Sequence, residues 1–295
     1  MPPNSDPDHF KIRLPQEGDT DFDQDEEWFE FEVNGKRHKS RIHEYENLYR
    51  VQGLYEALLY EKLKCCSPTK VVDLLATVLP DWPISVNDLR VLDLGAGNGI
   101  AGEIIWNLGA EKVVGLDLIP EAKTATERDR PGAYADYFVA DLTKLTDDDA
   151  NALREHDLNC LLTVATLGFG DIPPLVFANA FNLISETGWL AMTIKEDFLD
   201  QQDRSGFSRL IRSLIAHHIV EPQAHHRYCH RVSITGERLF YIALIGRKTQ
   251  HIPHELVEEA EQGASAAFET SADAAMSTLI GNAAMSTLIG EVVSV

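Results

Sequence analysis

Positive charge is scarce in this sequence. Its 295 residues include 26 lysines and arginines against 47 aspartates and glutamates, which gives a formal net charge of −21. Proteins that bind a nucleic-acid backbone neutralise its phosphates with clustered lysine and arginine. The deficit therefore argues against a nucleic acid as the main partner.

Cysteines and long apolar runs are scarce as well. The four cysteines, at positions 65, 66, 160 and 229, form no C-x-x-C pair, so neither a zinc site nor a disulfide framework is expected and a reducing compartment fits. The first residues are polar and proline-rich, unlike a secretory signal. No apolar run reaches the length that spans a bilayer. We expect a cytoplasmic protein with no membrane partner.

Composition divides the chain into four regions. Residues 1–35 form an acidic, flexible arm that ends in a short apolar strand and an Asn34-Gly35 turn. Residues 36–87 have helical spacing, with Gly53 as a break between helices. Residues 88–247 form the core. Residues 248–295 form a tail, in which the segment AAMSTLIG occurs twice in tandem.

Short apolar runs alternate with helical stretches in the core, as in a parallel sheet covered by helices on both faces. The predicted strands are Val91–Leu94, Lys112–Asp117, Tyr137–Ala140, Cys160–Val164 and Trp189–Ile194, and the predicted helices cover about 99–108, 120–129, 147–155, 174–186 and 204–218. Two last β-rich runs, Tyr228–Ile234 and Leu239–Ile245, have hairpin spacing. We predict a Rossmann-like α/β fold whose seven-stranded, mostly parallel sheet ends in an antiparallel hairpin.

Three alternate glycines follow the first core strand. Gly95, Gly97 and Gly99 stand where strand becomes helix, which suits a tight turn that a nucleotide-like ligand approaches without an intervening Cβ. Gly97, Gly99 and Gly102 also match the dinucleotide fingerprint G-x-G-x-x-G. That match begins late, and its third glycine falls inside the predicted helix. An NAD(P)-dependent oxidoreductase remains an alternative.

Carboxylates end three successive core strands. Asp93 lies within a buried strand, where its charge needs a hydrogen-bonding or cationic partner; a diphosphate would worsen the cost, and an ammonium or sulfonium would reduce it. Asp117 stands where such folds bind ribose hydroxyls. Asp141 is placed to meet the amine of an adenine, although each residue alone could also cap a helix. Together they favour a cationic nucleoside ligand.

The ordered segments VLDLGAGNGIAGE, GLDLIPEA, VADLTKL and LLTVATLGFGDIPP resemble the motifs of class I S-adenosylmethionine-dependent methyltransferases. The resemblance covers about residues 88–247, including the terminal hairpin. The ending HRVSITGERLFYIALIGRK further resembles the methyltransferase-like proteins of the Williams–Beuren region and their microbial relatives. It implies a methyltransferase with S-adenosylmethionine as cofactor.

The resemblance also implies roles for particular residues. The methionine moiety and ribose are expected against Gly95, Ala96, Gly97, Gly99 and Ala165, the ribose hydroxyls at Asp117, the adenine near Leu118, Ile119, Asp141 and Leu142, and the amino group near Asp93. Tyr45, Tyr49 and Tyr55 lie on helices that cover the cofactor in relatives, and Tyr49 is included among the expected cofactor contacts.

Catalytic chemistry is harder to place. Methyl transfer needs a base only when the acceptor atom carries a proton, and Glu196, just after the fifth core strand, is the candidate. The Asn/Asp-Pro-Pro-aromatic motif of enzymes that methylate amines of DNA and proteins is absent, since Thr166-Leu167-Gly168-Phe169 stands there. We expect transfer to an oxygen or nitrogen of a small molecule. A catalytically silent cofactor-binding module, or methylation of the chain's own repeat peptide, are alternatives.

Five histidines gather near the end of the core, at positions 217, 218, 225, 226 and 230. No carboxylate stands at metal-ligand spacing with them, so no metal site is expected. Strict alternation along a strand puts His226, Tyr228 and His230 on one face. We expect these histidines to face the substrate or the core.

Overall fold

A computed structural model describes residues 10–15, 26–167, 172–196 and 206–262 of the chain. Three predicted features lie outside these residues: the acidic run at 16–25, the loop that follows Glu196, and the tandem repeat near the C-terminus.

An antiparallel hairpin begins the longest described segment. It consists of β1 (Trp28–Val33) and β2 (Lys36–Arg41). The predicted turn at Asn34-Gly35 joins them, with φ angles of 52° and 74° that suit a type I′ turn. β2 carries no apolar residue, which is why the pattern predicted a helical segment from residue 36. Its pairing with β1, rather than its own composition, makes it a strand.

Residues 10–15 of the predicted flexible arm pack against this hairpin. Phe10 and Ile12 are buried with Phe29 of β1, and Arg13 forms a backbone bridge with Glu30. The apolar side chains at alternate positions explain the difference, because they bury surface that a purely acidic arm would lack.

Helices follow, as predicted. They are α1 (Tyr45–Arg50), a π-helical segment (Glu56–Lys62) and α2 (Ser67–Val78). Gly53 takes a φ of 78° between the first two, and Pro68 stands in the first turn of α2, where its missing N–H costs no helical hydrogen bond.

A seven-stranded sheet forms the centre of the molecule. Its strands are β3 (Arg90–Leu94), β4 (Lys112–Asp117), β5 (Asp136–Val139), β6 (Cys160–Leu167), β7 (Trp189–Lys195), β8 (Val220–Val232) and β9 (Arg238–Lys248). They lie in the order β5-β4-β3-β6-β7-β9-β8. β9 runs antiparallel to both of its neighbours, and the pairs from β5 to β7 are parallel. The predicted Rossmann-like fold is confirmed.

Helices cover both faces of this sheet. They are α3 (Ile100–Asn107), α4 (Pro120–Asp129), α5 (Asp147–Arg154), α6 (Pro174–Leu183), α7 (Phe207–Ala216) and α8 (His254–Gln262). α6, α7 and α8 bury apolar side chains against one face, and α2 and α3 against the other. Two separate cores result, one on each side of strands that are apolar on both faces.

The last hairpin is longer than predicted. β8 begins at Val220 instead of Tyr228. It lies at the edge of the sheet, and its first half carries too many polar side chains for the apolar pattern to reveal it. Pro222 is tolerated there, since an edge strand leaves some N–H groups unpaired. Part of the predicted tail is also ordered: Val257 and Ala260 of α8 are buried against the core.

Among the described residues, no helix combines the length and apolar character needed to cross a membrane.

Candidate cofactor and acceptor site

One cavity of about 510 Å³ lies at the carboxyl ends of the parallel strands. Its floor comes from the residues after β3, β4, β5 and β6, and its cover from α1 and the π-helical segment. The strand order reverses between β3 and β6, and open α/β sheets bind ligands at such a switch point. The volume is typical of cofactor pockets.

The glycine turn after β3 is held by its surroundings. Gly95 and Gly97 have φ angles of 69° and 55°, which side chains disfavour. The N–H of Gly97 donates to Asp117 Oδ2 at 2.8 Å. Its carbonyl accepts from Thr126 Oγ1 at 2.9 Å and from Tyr137 Oη at 2.7 Å. The loop is therefore preorganised.

Close approach also requires glycine here. A Cβ on Gly97 would lie 2.6 Å from Tyr49 Oη, and one on Gly95 would lie 2.3 Å from Thr166 Cγ2. Gly97 and Tyr49 both line the cavity, so the tyrosine stands directly over a bare stretch of backbone. Gly99 has a different position: it precedes α3 with a φ of 89° and does not line the cavity.

Asp93 is buried at the cavity, and a hydrogen bond from another side chain of the protein offsets the cost of burying its carboxyl group. The Tyr134 hydroxyl donates to its Oδ2 at 2.7 Å, and burial raises the pKa of the Asp93 carboxyl to about 7. Gly102 allows this contact, because a Cβ there would lie 2.3 Å from the Tyr134 ring. The third glycine of the dinucleotide match thus makes room for a tyrosine.

The next two strand-end carboxylates differ from each other. Asp117 is largely buried and accepts from the N–H groups of Gly97 and Ile119, at 2.8 and 2.9 Å; burial raises its pKa. A carboxylate offers about four acceptor positions, so Asp117 has room for a ligand hydroxyl. Asp141 is half-exposed and caps a short helical turn by accepting from Thr143 N at 2.9 Å. Both line the cavity.

The other expected cofactor residues share this floor. Ala96, Leu118, Ile119, Leu142 and Ala165 line the cavity. Ala165 is strained, with a φ of 56°, and its N–H donates to Thr193 Oγ1 at 2.8 Å. Non-glycine residues hold such angles at a cost that clusters at functional sites.

No protein-family model and no curated protein matches the chain. Solved structures resemble it. The N-methyltransferase NodS from Bradyrhizobium japonicum, in complex with S-adenosyl-L-homocysteine, is 9% identical with a TM-score of 0.47 over 70% of this chain and 97% of that one. A TehB-like methyltransferase from Corynebacterium glutamicum is 16% identical with a TM-score of 0.44, over 69% and 97%.

A third similar structure is magnesium protoporphyrin IX methyltransferase from Synechocystis with bound SAM, 14% identical with a TM-score of 0.43 over 61% of this chain and 79% of that one. The likeness is one of fold. Identities and scores this low assign no function.

The cover of the cavity is tied to the glycine turn through Arg130, whose side chain is buried. Its Nη2 contacts Glu56 Oε1 of the π-helical segment at 2.7 Å, and its Nη1 donates to the Asn98 carbonyl at 2.9 Å. The Asn98 amide donates to the same Glu56 oxygen at 2.8 Å. The rings of Tyr49 and Tyr55 in the cover are tilted by 49° to each other, with centroids 5.3 Å apart.

Glu196 lies elsewhere than expected. Its two oxygens pair with Nε and Nη2 of Arg227, at 2.7 and 2.8 Å, and it does not line the cavity. A carboxylate committed to a two-point ion pair and turned from the cavity is badly placed to take a proton from a substrate. The structure thus does not bring Glu196 to the cavity, and its role as the base stays an unsupported prediction.

The far side of the cavity contains residues that the motifs did not indicate. His230 and Arg231 of β8 and Tyr241 of β9 line it, together with Cys65. The strand pairing skips between Cys229 and Arg231, which makes His230 the extra residue of a β-bulge. Because a bulge breaks strict alternation, two consecutive residues of β8 turn towards the cavity. Only the histidine cluster hinted at this side.

The described residues include no group of three or more histidines, cysteines or acidic side chains placed to hold a metal ion. His226 instead stacks on Tyr228, with ring centroids 6.3 Å apart.

Proposed function

We propose that the protein is an S-adenosylmethionine-dependent methyltransferase that transfers a methyl group to an oxygen or nitrogen of a small molecule. One observation carries the proposal. A preorganised glycine turn and the carboxylates that end β3, β4 and β5 line the same cavity, and that cavity continues past them to a pocket of aromatic side chains.

The residues present fit this cofactor. The bare backbone at Gly95 and Gly97 leaves space that a Cβ would fill. Asp117 and Asp93 both line the cavity, where Asp117 would accept from the ribose hydroxyls and Asp93 would offer a buried carboxylate to the amino group. Leu118 and Ile119 would lie beside the adenine. When bound, the cofactor supplies a methyl group made electrophilic by its sulfonium.

The protein's own residues would do the rest of the work. Transfer of a methyl group depends mainly on aligning the acceptor atom, which positioning alone can accelerate strongly. Tyr49 and Tyr55 line the cavity, and their ring faces would attract a cation.

The fold and the site favour a dinucleotide such as NAD(P) less than they favour S-adenosylmethionine. The strand order contains an additional antiparallel strand, β9, inserted before the edge strand, whereas dinucleotide-binding sheets have the order 3-2-1-4-5-6. Gly102, the third glycine of the fingerprint, contacts Tyr134. Buried carboxylates at Asp93 and Asp117 would also oppose a pyrophosphate. The net charge of −21 supports a small-molecule acceptor over a nucleic acid.

Calorimetry with S-adenosylhomocysteine and with NADH tests the cofactor. We expect the first to bind and the second not to. Asp117→Ala should weaken the first by about 1–3 kcal/mol, the cost of unpaired buried donors, while Asp148→Ala, at an exposed position of α5, should leave it unchanged. Binding of NADH without S-adenosylhomocysteine would overturn the proposal.

Mass spectrometry with S-adenosylmethionine tests the transfer. Methylated products from a panel of small phenols, amines and carboxylic acids would support an enzyme, and cofactor binding without any product would favour a silent module. Methyl groups added to residues 274–295 of the intact chain would instead point to the protein's own repeat as the acceptor.

A further inference from the structure

Charge is divided between the two halves of the cavity. Its acidic lining residues, among those described, are Asp93, Asp117 and Asp141, all at the ends of β3, β4 and β5. Among the described residues, Arg231 on β8 is the lysine or arginine that lines the cavity. The half that would hold a cationic cofactor is thus lined by carboxylates, and the opposite half, called the basic half below, is lined by a guanidinium.

Arg231 presents its charge to the cavity while its counter-ion stays behind. Its Nη2 pairs with Glu27 Oε2 at 2.5 Å, and its Nη1 donates to the Val232 carbonyl at 2.9 Å. The second Glu27 oxygen accepts from Ile234 N at 2.8 Å. Glu27 does not line the cavity. A guanidinium has five N–H donors, so these two bonds do not use all of them.

His230 adds a donor beside Arg231. Its Nδ1 lies 2.6 Å from Ser67 Oγ, which lies 2.5 Å from the Tyr228 hydroxyl. A phenol is a stronger donor than an aliphatic hydroxyl and a neutral imidazole has one acceptor nitrogen, so we assign the hydrogen bonds as running from Tyr228 through Ser67 to Nδ1. The ring proton is then on Nε2, which makes no hydrogen bond to the described residues.

The ring is held in this orientation. It stacks on Tyr241 with centroids 4.0 Å apart, and the carbonyl of this bulge residue accepts from Cys66 N at 3.0 Å. Burial and the neighbouring guanidinium lower the pKa of His230 to about 3. The neutral ring therefore keeps a single donor at Nε2.

We propose that the half of the cavity formed by β8 and β9 binds a carboxylate of the methyl acceptor, with His230 Nε2–H and Arg231 as its donors. The inference rests on the proposed function and narrows its acceptor to planar carboxylic acids. The aromatic rings of Tyr55, Tyr60 and Tyr241, which also line the cavity, suit a flat molecule. Hydrogen bonds to a charged group are shorter and stronger than neutral ones.

The test compares β-naphthoate with β-naphthamide, which has the same shape without the charge, on protein saturated with S-adenosylhomocysteine. Calorimetry should show naphthoate bound at least about tenfold more tightly, as expected for charge-assisted hydrogen bonds. His230→Phe keeps a flat ring on Tyr241 and should reduce this preference by about tenfold. His225→Phe, on the same strand but not at the cavity, should retain it.

Nitrogen NMR of histidine-labelled wild-type protein gives a reading that needs no variant. We expect His230 to carry its proton on Nε2, and that signal to shift when naphthoate is added. A proton on Nδ1, equal affinity for the acid and the amide, or an unchanged preference in His230→Phe would each overturn the proposal. Intact S-adenosylhomocysteine binding in the same samples would show that the proposed function had not failed with it.

Discussion

The two halves of the cavity are built in opposite ways. The acidic half comes from three strand ends that follow one another along the chain, between residues 93 and 142. The basic half brings together residues near 65, 230 and 241, with Glu27 behind them. A cofactor half can thus be recognised from continuous motifs, whereas an acceptor half depends on contacts between distant segments. If the halves are separable, changes in one should leave the other working.

The largest effect is expected at the buried pair that supports the basic half. Arg231→Met would leave Glu27, which is 3% exposed, as an unpaired buried charge, and should lower the free energy of unfolding by about 3–5 kcal/mol. Urea unfolding measures it. The double variant Glu27→Met/Arg231→Met should recover most of the loss. At low temperature, where both variants remain folded, they should bind S-adenosylhomocysteine within about threefold of wild type, because the acidic half of the cavity loses no hydrogen bond. If the folded variants lost affinity for the cofactor as well as stability, the two halves would not be separable.

The next effect belongs to the acidic half. Gly97→Ala places a Cβ 2.6 Å from Tyr49 Oη at a φ of 55°, and should weaken S-adenosylhomocysteine binding about a hundredfold through overpacking. Gly132→Ala is a matched control, because its φ is 86° but no atom lies within 4 Å of the added Cβ. Adding Tyr49→Phe to Gly97→Ala removes the clashing oxygen and should restore part of the affinity, as calorimetry would show. No restoration would mean that backbone strain, not the tyrosine, causes the loss.

A pH dependence follows from Asp93, whose pKa burial raises to about 7. Only the ionised carboxylate attracts the ligand's amino group, so the affinity for S-adenosylhomocysteine should rise by up to about tenfold per pH unit below pH 7 and level off above it.

The same group should make stability depend on pH. The folded state retains the proton of Asp93 after the unfolded chain has lost it near the ordinary pKa of 3.8. The contribution of Asp93 to stability should therefore fall as pH rises from about 4 to about 7. Asp93→Asn should flatten both profiles; an unchanged profile would assign them to another group.

The smallest effect is expected at Glu196. Its pair with Arg227 is about 30% exposed on both sides and lies away from the cavity, so Glu196→Gln should cost at most about 1 kcal/mol in stability. Binding of S-adenosylhomocysteine and of β-naphthoate should stay within about twofold of wild type, as one titration of each would show. A large loss of either would return Glu196 to the site.

The sequence indicated the sheet, the reversed last strand and the strand-end carboxylates, because period and local spacing determine those features. It could not indicate the partners that make them work. Tyr134 donates a hydrogen bond to Asp93, which lies 41 residues away in the sequence, and no periodic pattern predicts such a contact. The bulge at His230 inverts the expected face of Arg231, and β2 owes its strand to pairing alone. The pairing of Glu196 with Arg227 could not be foreseen either, because a charged residue after a strand has the same local pattern whether it faces a cavity or an arginine.

The bond network around Arg130 bears on how a ligand enters and leaves. Glu56 belongs to the cover and Asn98 to the glycine turn, and one buried guanidinium joins them. Lifting the cover would break the contact with Glu56 and leave the guanidinium with Glu103, whose Oε2 lies 3.2 Å from Arg130 Nε. Loss of one charged hydrogen bond costs about 1.5–3 kcal/mol, which leaves on the order of one molecule in ten to one in 150 open at any moment. Ligand exchange would then wait for such an opening, and a bound cofactor would have a residence time governed by Arg130, a side chain that does not line the cavity.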